Sequence, residues 1–144
     1  MIIQKYNASS QGLFAMRFLP LLLVAPLVTG GCLGPACTNT ILQEIPSPDG
    51  QRKAVVFGRD CGATTGFNTQ VSVLRAGEVL GDAAGNACTL DDNGGASPTE
   101  KGRGPKVVVK WLGPKQLQIS FDKRARSYAM EKQIDGVAVR YQVQ

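Results

Sequence analysis

From residue 41 to the C-terminus, apolar and polar positions alternate with a period of two. Val107, Val109 and Trp111 alternate with Val108 and Lys110, and after Gly113-Pro114 the residues Leu117, Ile119 and Phe121 alternate with Gln116, Gln118 and Ser120. Successive side chains of a strand point to opposite faces, so this pattern predicts a hairpin with one wet face. Residues 41–45 and 52–59 flank Ser47-Pro48-Asp49-Gly50. Proline presets φ for the first central position of a type I turn and Gly50 suits the left-handed position after it, which predicts an antiparallel pair closed by a three-residue loop. In residues 69–74, Val71 and Val73 oppose Ser72, the mark of a half-buried strand. Residues 78–80 and 87–90 are shorter strand candidates. Residues 91–105 have no apolar period and predict a mobile surface loop. Asp135-Gly136 suits a two-residue type I′ turn that sets Ile134 opposite Val137. On that register Tyr128, Met130 and Ile134 share a face with Val137, Val139, Tyr141 and Val143, and Lys132 must snorkel from it; residues 128–134 read alternatively as a helical turn. The sum is seven to nine short strands with little helix, which predicts an all-β domain: a small antiparallel β-sandwich or a strongly curved sheet. The Ser-Pro-Asp-Gly turn also occurs in β-propeller blades, but it is present once, and a propeller needs at least about four blades of about 40 residues.

The N-terminal region has a different pattern. Residues 18–28 are an apolar run broken by Pro20 and Pro26, preceded by Arg17 and followed by Thr29, Gly30 and Gly31, the layout of a secretory signal. The run is far short of the roughly 20 residues of a membrane span. Residues 1–15 are polar and fit no part of a signal, so Met16 is the expected start and 1–15 an upstream extension. Cys32 follows the small residues at once, which resembles the lipobox of bacterial lipoproteins, where such a cysteine carries diacylglycerol and becomes the mature N-terminus. Thr29 stands where that motif usually has leucine, and cleavage without lipid is the alternative. The expected organisation is a signal over 16–31, a tether over 32–40 and a single β-domain over 41–144.

The 144 residues and 43% apolar content suit one domain with a real core. With lipid on Cys32, the remaining Cys37, Cys61 and Cys88 allow one internal disulfide in an oxidising compartment. A Cys37–Cys61 bridge would staple the N-terminal arm to the loop after the second strand and leave Cys88 free or buried; Cys61 with Cys88 is the rival. No cysteine pair has zinc-ligand spacing and the chain contains no histidine, so no metal is expected. No cofactor is expected either.

Candidate chemistry is sparse. The loop of residues 59–66 offers Arg59, Asp60, Thr64 and Thr65 between glycines, and could cradle an anion or the polar end of a ligand. The structural alternative has Arg59 paired with Asp60, Cys61 bridged and the threonines capping turns. Without histidine the usual general base for a nucleophile is missing, and the acids are scattered. Asp91-Asp92-Asn93-Gly94 resembles part of a calcium loop but lacks its closing glutamate. Charge is more informative. Residues 33–100 carry four Lys/Arg against eight acids, whereas residues 101–126 carry eight Lys/Arg against Asp122 alone. Lys106, Lys110, Lys123, Arg124 and Arg126 are candidates for one basic patch, whose partners in the envelope would be phosphate head groups, anionic glycans or an acidic protein surface. The alternative is that these lysines guard edge strands against aggregation. Nucleic acid is not an expected partner, for want of an exposed aromatic platform.

The run S-P-D-G-Q-R-K-A-V-V-F-G-R-D-C-G-A-T-T-G-F-N-T-Q-V-S-V-L, residues 47–74, together with an early cysteine and the Trp-Leu-Gly-Pro element at 111–114, resembles a family of small, uncharacterised exported bacterial proteins. The resemblance implies an exported, compact, β-rich domain and no particular reaction. The expected function is that of an exported, lipid-anchored envelope protein acting as a non-enzymatic binding module. A hydrolase or transferase using the 59–66 loop and a structural envelope protein are the alternatives.

Overall fold

The computed structural model describes residues 37–62, 66–99 and 104–144, all within one compact unit, Leu33–Gln144. The expected extension, signal and lipid-bearing Cys32 lie outside the described residues, as do Thr64 and Thr65. Nine strands run in chain order: β1 (Thr38–Pro46), β2 (Arg52–Asp60), β3 (Asn68–Arg75), β4 (Cys88–Asp91), β5 (Val107–Gly113), β6 (Gln116–Phe121), β7 (Arg126–Met130), β8 (Gln133–Ile134) and β9 (Val137–Val143). There is no helix among the described residues. The strands form a five-stranded sheet ordered β1-β2-β3-β4-β7 and a four-stranded sheet ordered β5-β6-β9-β8. The expected all-β architecture is therefore what the chain adopts.

One core joins the two sheets. Ala54, Val56, Val71, Val73, Cys88 and Leu90 of the five-stranded sheet pack with Leu117, Ile119, Phe121, Val137 and Val139 of the other. Each fully buried aliphatic side chain of this kind contributes about 1.5–3 kcal/mol relative to exposure. Two polar contacts pin the layers: the Trp111 indole N–H donates to the Ile45 carbonyl (3.0 Å), and the Tyr141 hydroxyl donates to the Ala87 carbonyl (2.8 Å).

Local chemistry sets the turns. Gly50 N–H bonds the Ser47 carbonyl (2.9 Å), Gly50 has φ 65°, and Asp49 accepts from the Ser47 hydroxyl and the Gln51 N–H. The ladder resumes at Ser47 and Arg52, so this loop is one residue longer than the expected three. Asp135 and Gly136 have φ of 50° and 79°, as a type I′ turn requires, and Ile134 faces Val137.

Several expectations are corrected. Ordered pairing starts before Ile41, because Thr38, Asn39 and Thr40 already pair with Asp60, Arg59 and Gly58; residues 38–40 belong to β1 and not to a tether. Residues 128–134 form neither one strand nor a helical turn. The turn after β6 is locked by Asp122, whose carboxylate accepts from the Arg124 N–H and guanidinium, and β7 then joins β4 in the other sheet. The chain returns through β8, so β9 lies parallel to β6 and the four-stranded sheet is mixed rather than antiparallel. Lys132 is exposed in the break between β7 and β8 and shares no strand face with Tyr128. Residues 78–80 are not a strand. They belong to a connection, residues 76–87, that folds over the outer face of the five-stranded sheet: Asn39 donates to the Gly81 and Ala83 carbonyls, Arg59 to the Asp82 carbonyl, and Gly85 N–H to Gln70 Oε1 (2.7 Å). β3 is consequently buried on both faces, with Ser72 and Gln70 as enclosed as Val71. Nor is 91–105 wholly a surface loop. Ser97 and Pro105 are buried, and Gly104 lies so close to the backbone of Asn68 and Thr69 that a Cβ there would fall 2.3 Å from the Asn68 carbonyl carbon.

Candidate binding edge and basic face

The disulfide joins Cys37 to Cys61, 24 residues apart, and Cys88 is a free, buried thiol. Burial pushes the Cys88 thiol up to about 12, so it is inert at neutral pH. The bridge sits beside the first rung of the β1/β2 pair, where Arg59 donates to Asn39 Oδ1 (2.9 Å) as well as to the Asp82 carbonyl. Arg59 thus clamps the 76–87 connection and does not pair with Asp60. Asp60 instead accepts from the Gly62 N–H (2.8 Å). In residues 59–62 the side chains are committed to holding the loop.

The five basic candidates fall in three places, with Lys123 and Arg124 in the turn between β6 and β7. Lys106 and Lys110 lie at the four-stranded sheet, whereas Arg126 belongs to β7 of the other sheet. There its guanidinium meets Asp91 (2.6 Å) and stacks on the Tyr128 ring at 5.1 Å. Burial pushes the Asp91 carboxyl up, but hydrogen bonds from Arg126 and Tyr128 outweigh it and hold the group below the usual carboxylate range. Asp91 also accepts the Asn93 N–H (2.9 Å), which commits the acid of the calcium-like run. Among the described residues no three Cys, Asp or Glu side chains gather to hold a metal. Arg124 pairs with Asp122 at 2.8 Å, and that hydrogen bond draws the Asp122 carboxyl well below its normal value. Lys123 donates its backbone N–H to the Gln144 carbonyl in the same turn.

Sorted by sheet, the pairing is lopsided. On the five-stranded sheet Lys53 pairs with Glu44, Arg75 with Asp135 and Arg126 with Asp91, while Arg52 and Arg59 bond backbone carbonyls. The four-stranded sheet and its β5–β6 turn carry Lys106, Lys110, Lys115 and Arg140, and residues 104–121 and 137–144 contain no Asp or Glu. None of these four cations makes an ion pair among the described residues. The register puts Lys110, Gln118 and Arg140 in one row and Val108, Ser120 and Gln142 in the next, all on the face turned from the core. Arg140 was not singled out by the sequence, because only the parallel β6/β9 register carries it across the sheet to Lys110.

β5 is also an open edge. Phe121 turns its carbonyl to Gln144, so residues 117, 119 and 121 bond β9, and residues 118 and 120 bond β5. Lys110 and Val108 are then the β5 residues bonded to β6. Val107, Val109 and Trp111 direct their N–H and C=O groups outward, where no described residue meets them. Beside this edge a cleft of about 280 Å³ opens between the sheets, lined by Leu42, Val56, Pro105, Val107 and Val109 and by the polar Gln43, Thr69 and Lys106. On the solvent face Val108 is 52% and Leu112 43% exposed.

The fold and this surface define a small two-sheet β-domain in which the β5 edge, unpaired among the described residues, lies beside a basic face. No protein-family model, curated protein or solved structure matches the chain.

Proposed function

We propose that the protein is an exported, lipid-anchored, non-enzymatic binding module of the bacterial envelope, and that it meets its partner through the four-stranded sheet. The observation that carries this reading is the coincidence, among the described residues, of unpaired backbone groups on β5, a cleft of mixed polar and apolar lining beside them and a basic face without Asp or Glu in residues 104–121 and 137–144. Exposed edge strands are normally blunted or covered, and one left open beside apolar surface is a docking feature. The Cys37–Cys61 bridge supports a compartment outside the cytoplasm, because cytosolic thiols are kept reduced. The apolar run before Cys32 and the resemblance of residues 47–74 to small exported bacterial proteins support export and a lipid on Cys32.

Two measurements test the reading in intact cells, with a tag after Gln144 so that the N-terminus is processed normally. Labelled palmitate should enter the protein and be lost in Cys32→Ser. A photo-crosslinking residue at Val108 should trap one partner in near-equal amount, whereas the same residue at Val79, 82% exposed on the other sheet's covering connection, should not. Equal trapping at both positions, or none at either, removes the binding-module reading.

A further inference from the structure

We infer that the occupant of β5 is an extended segment of another protein, added as a fifth strand to the four-stranded sheet, with acidic and apolar residues in alternation. The inference rests on the binding-module reading and names the partner's chemistry.

Three features of the surface specify the ligand separately. First, Val107, Val109 and Trp111 offer N–H and C=O groups in the plane of the sheet at alternate residues. Such a row is satisfied by an extended backbone and by little else, since a lipid head group or a polysaccharide supplies no matching ladder of donors and acceptors. Second, an added strand sends alternate side chains to opposite faces. Those directed to the core side enter the cleft beside Val107 and Val109, whose other wall is Leu42 and Val56 with Gln43 and Thr69 among them, so apolar side chains meet the valines and leucine there. Third, the intervening side chains come out on the solvent face beside Lys110 and Val108, with Lys106 at one end of β5 and Lys115 at the other, and with no Asp or Glu in residues 104–121 to answer them. Asp or Glu at those positions would meet cations directly across the new pair, the arrangement that stabilises cross-strand neighbours.

The same charge argues against a second copy of this chain as the occupant. Antiparallel pairing of two β5 strands would fuse two acid-free basic faces and set lysines of one copy beside those of the other. The distribution that repels a copy attracts an acidic strand.

Trp111 is the sole tryptophan and lies on the edge itself, so its fluorescence reports occupation of β5 in the full-length protein. The probe is a synthetic peptide of about eight residues alternating valine and glutamate, long enough to cover β5. It should shift the Trp111 emission saturably and slow amide exchange at Val107, Val109 and Trp111. A peptide alternating valine and lysine should not bind, and Lys110→Glu should weaken the acidic peptide about tenfold or more. Val109→Pro removes an outward N–H without touching a β6 bond, a substitution edge strands tolerate, and should abolish binding while the circular dichroism spectrum stays native. Three results overturn the inference: equal binding of an acidic peptide whose alternate amides are N-methylated, which would mean that charge alone is read; a concentration-dependent dimer protected at the same three amides; or no binding at all. If the peptide fails while a crosslinker at Val108 still traps a partner in cells, the strand-addition inference falls and the binding-module reading stands. If both fail, both fall.

Discussion

Reducing the Cys37–Cys61 bridge should lower the stability of the folded domain by about 3.5 kcal/mol, the entropy that a cross-link over this span removes from the unfolded chain. The bridged residues are 24 apart, so the loop they close is short compared with the domain, and the effect grows only with the logarithm of its length. For a domain of this size, whose stability in urea falls by about 1.5 kcal/mol per M, that loss moves the midpoint down by roughly 2 M. The bridge also borders the Thr38↔Asp60 rung and the clamp of Asn39 and Arg59 on residues 81–83, so amide exchange should rise first at Asn39 and Arg59. The assay is urea unfolding, followed by Trp111 fluorescence, of oxidised protein, reduced protein and the double variant Cys37→Ser/Cys61→Ser. Reduction and the double variant should give the same midpoint. A shift under about 0.5 M would refute the cross-link argument. A single Cys37→Ser variant that still responds to reductant would show that Cys61 pairs with Cys88, against the structure.

Gly104→Ala should destabilise by about 3 kcal/mol, because the new methyl meets the backbone of Asn68 and Thr69 and not a side chain that can move, whereas Gly81→Ala, with open space around it, should stay within about 0.5 kcal/mol; urea midpoints compare the two. Cys88 should resist alkylation at neutral pH until the protein unfolds, as read by mass spectrometry of its peptide. Its raised thiol pKa means that the unfolded chain ionises first, so stability is full below pH 9.0 and falls as pH rises from there towards about 12. Asp91 runs the other way: its lowered pKa gives stability present above 3.8 that is lost as pH falls below that value, and in Asp91→Asn both the loss and the raised Tyr128 ionisation seen by ultraviolet titration should disappear.

The residues that were legible in the sequence are those whose conformation is decided locally. Asp135-Gly136 announced a turn because both positions need positive φ, and Ser47-Pro48-Asp49-Gly50 carried its own side-chain hydrogen bonds. The alternation in β5 and β6 was equally plain in the sequence, although only β5 keeps a wet face along its length, since Ser120 of β6 is buried. Decisions made at long range were not visible. β7 was read as the partner of β9 because Tyr128, Met130 and Ile134 keep the right period, yet Asp91 takes both Arg126 and Tyr128 from 35 and 37 residues away and draws the strand into the other sheet. Ser72 looked like a solvent-facing residue, and only the return of Asn86 over β3 buries it. For the candidate surface, Lys106 and Lys110 were in view, but Arg140 joined them through a parallel register that no local pattern encodes, and Arg124 and Arg126 were withdrawn by acids close in space.

The open edge and the unpaired lysines are best understood together. The other edges are blunted by ordinary means: β1 has a bulge at Leu42 and ends in Pro46, β7 carries Arg126 and Tyr128, and β8 is only two residues long. β5 runs through Val107, Val108, Val109, Lys110 and Trp111 before its register shifts, with apolar side chains on both faces, and would invite pairing with any extended chain. A lysine at its centre and a face without acids make that pairing selective. On the proposed reading, like charge opposes a second copy of the same edge while a strand bearing carboxylates is drawn to it, so one feature would both protect β5 from aggregation and choose what covers it. On this view edge protection and recognition are not alternatives, and Lys110→Glu is the substitution that must alter both at once: it should weaken the acidic partner and, by removing the repulsion between copies, allow the free protein to associate with itself.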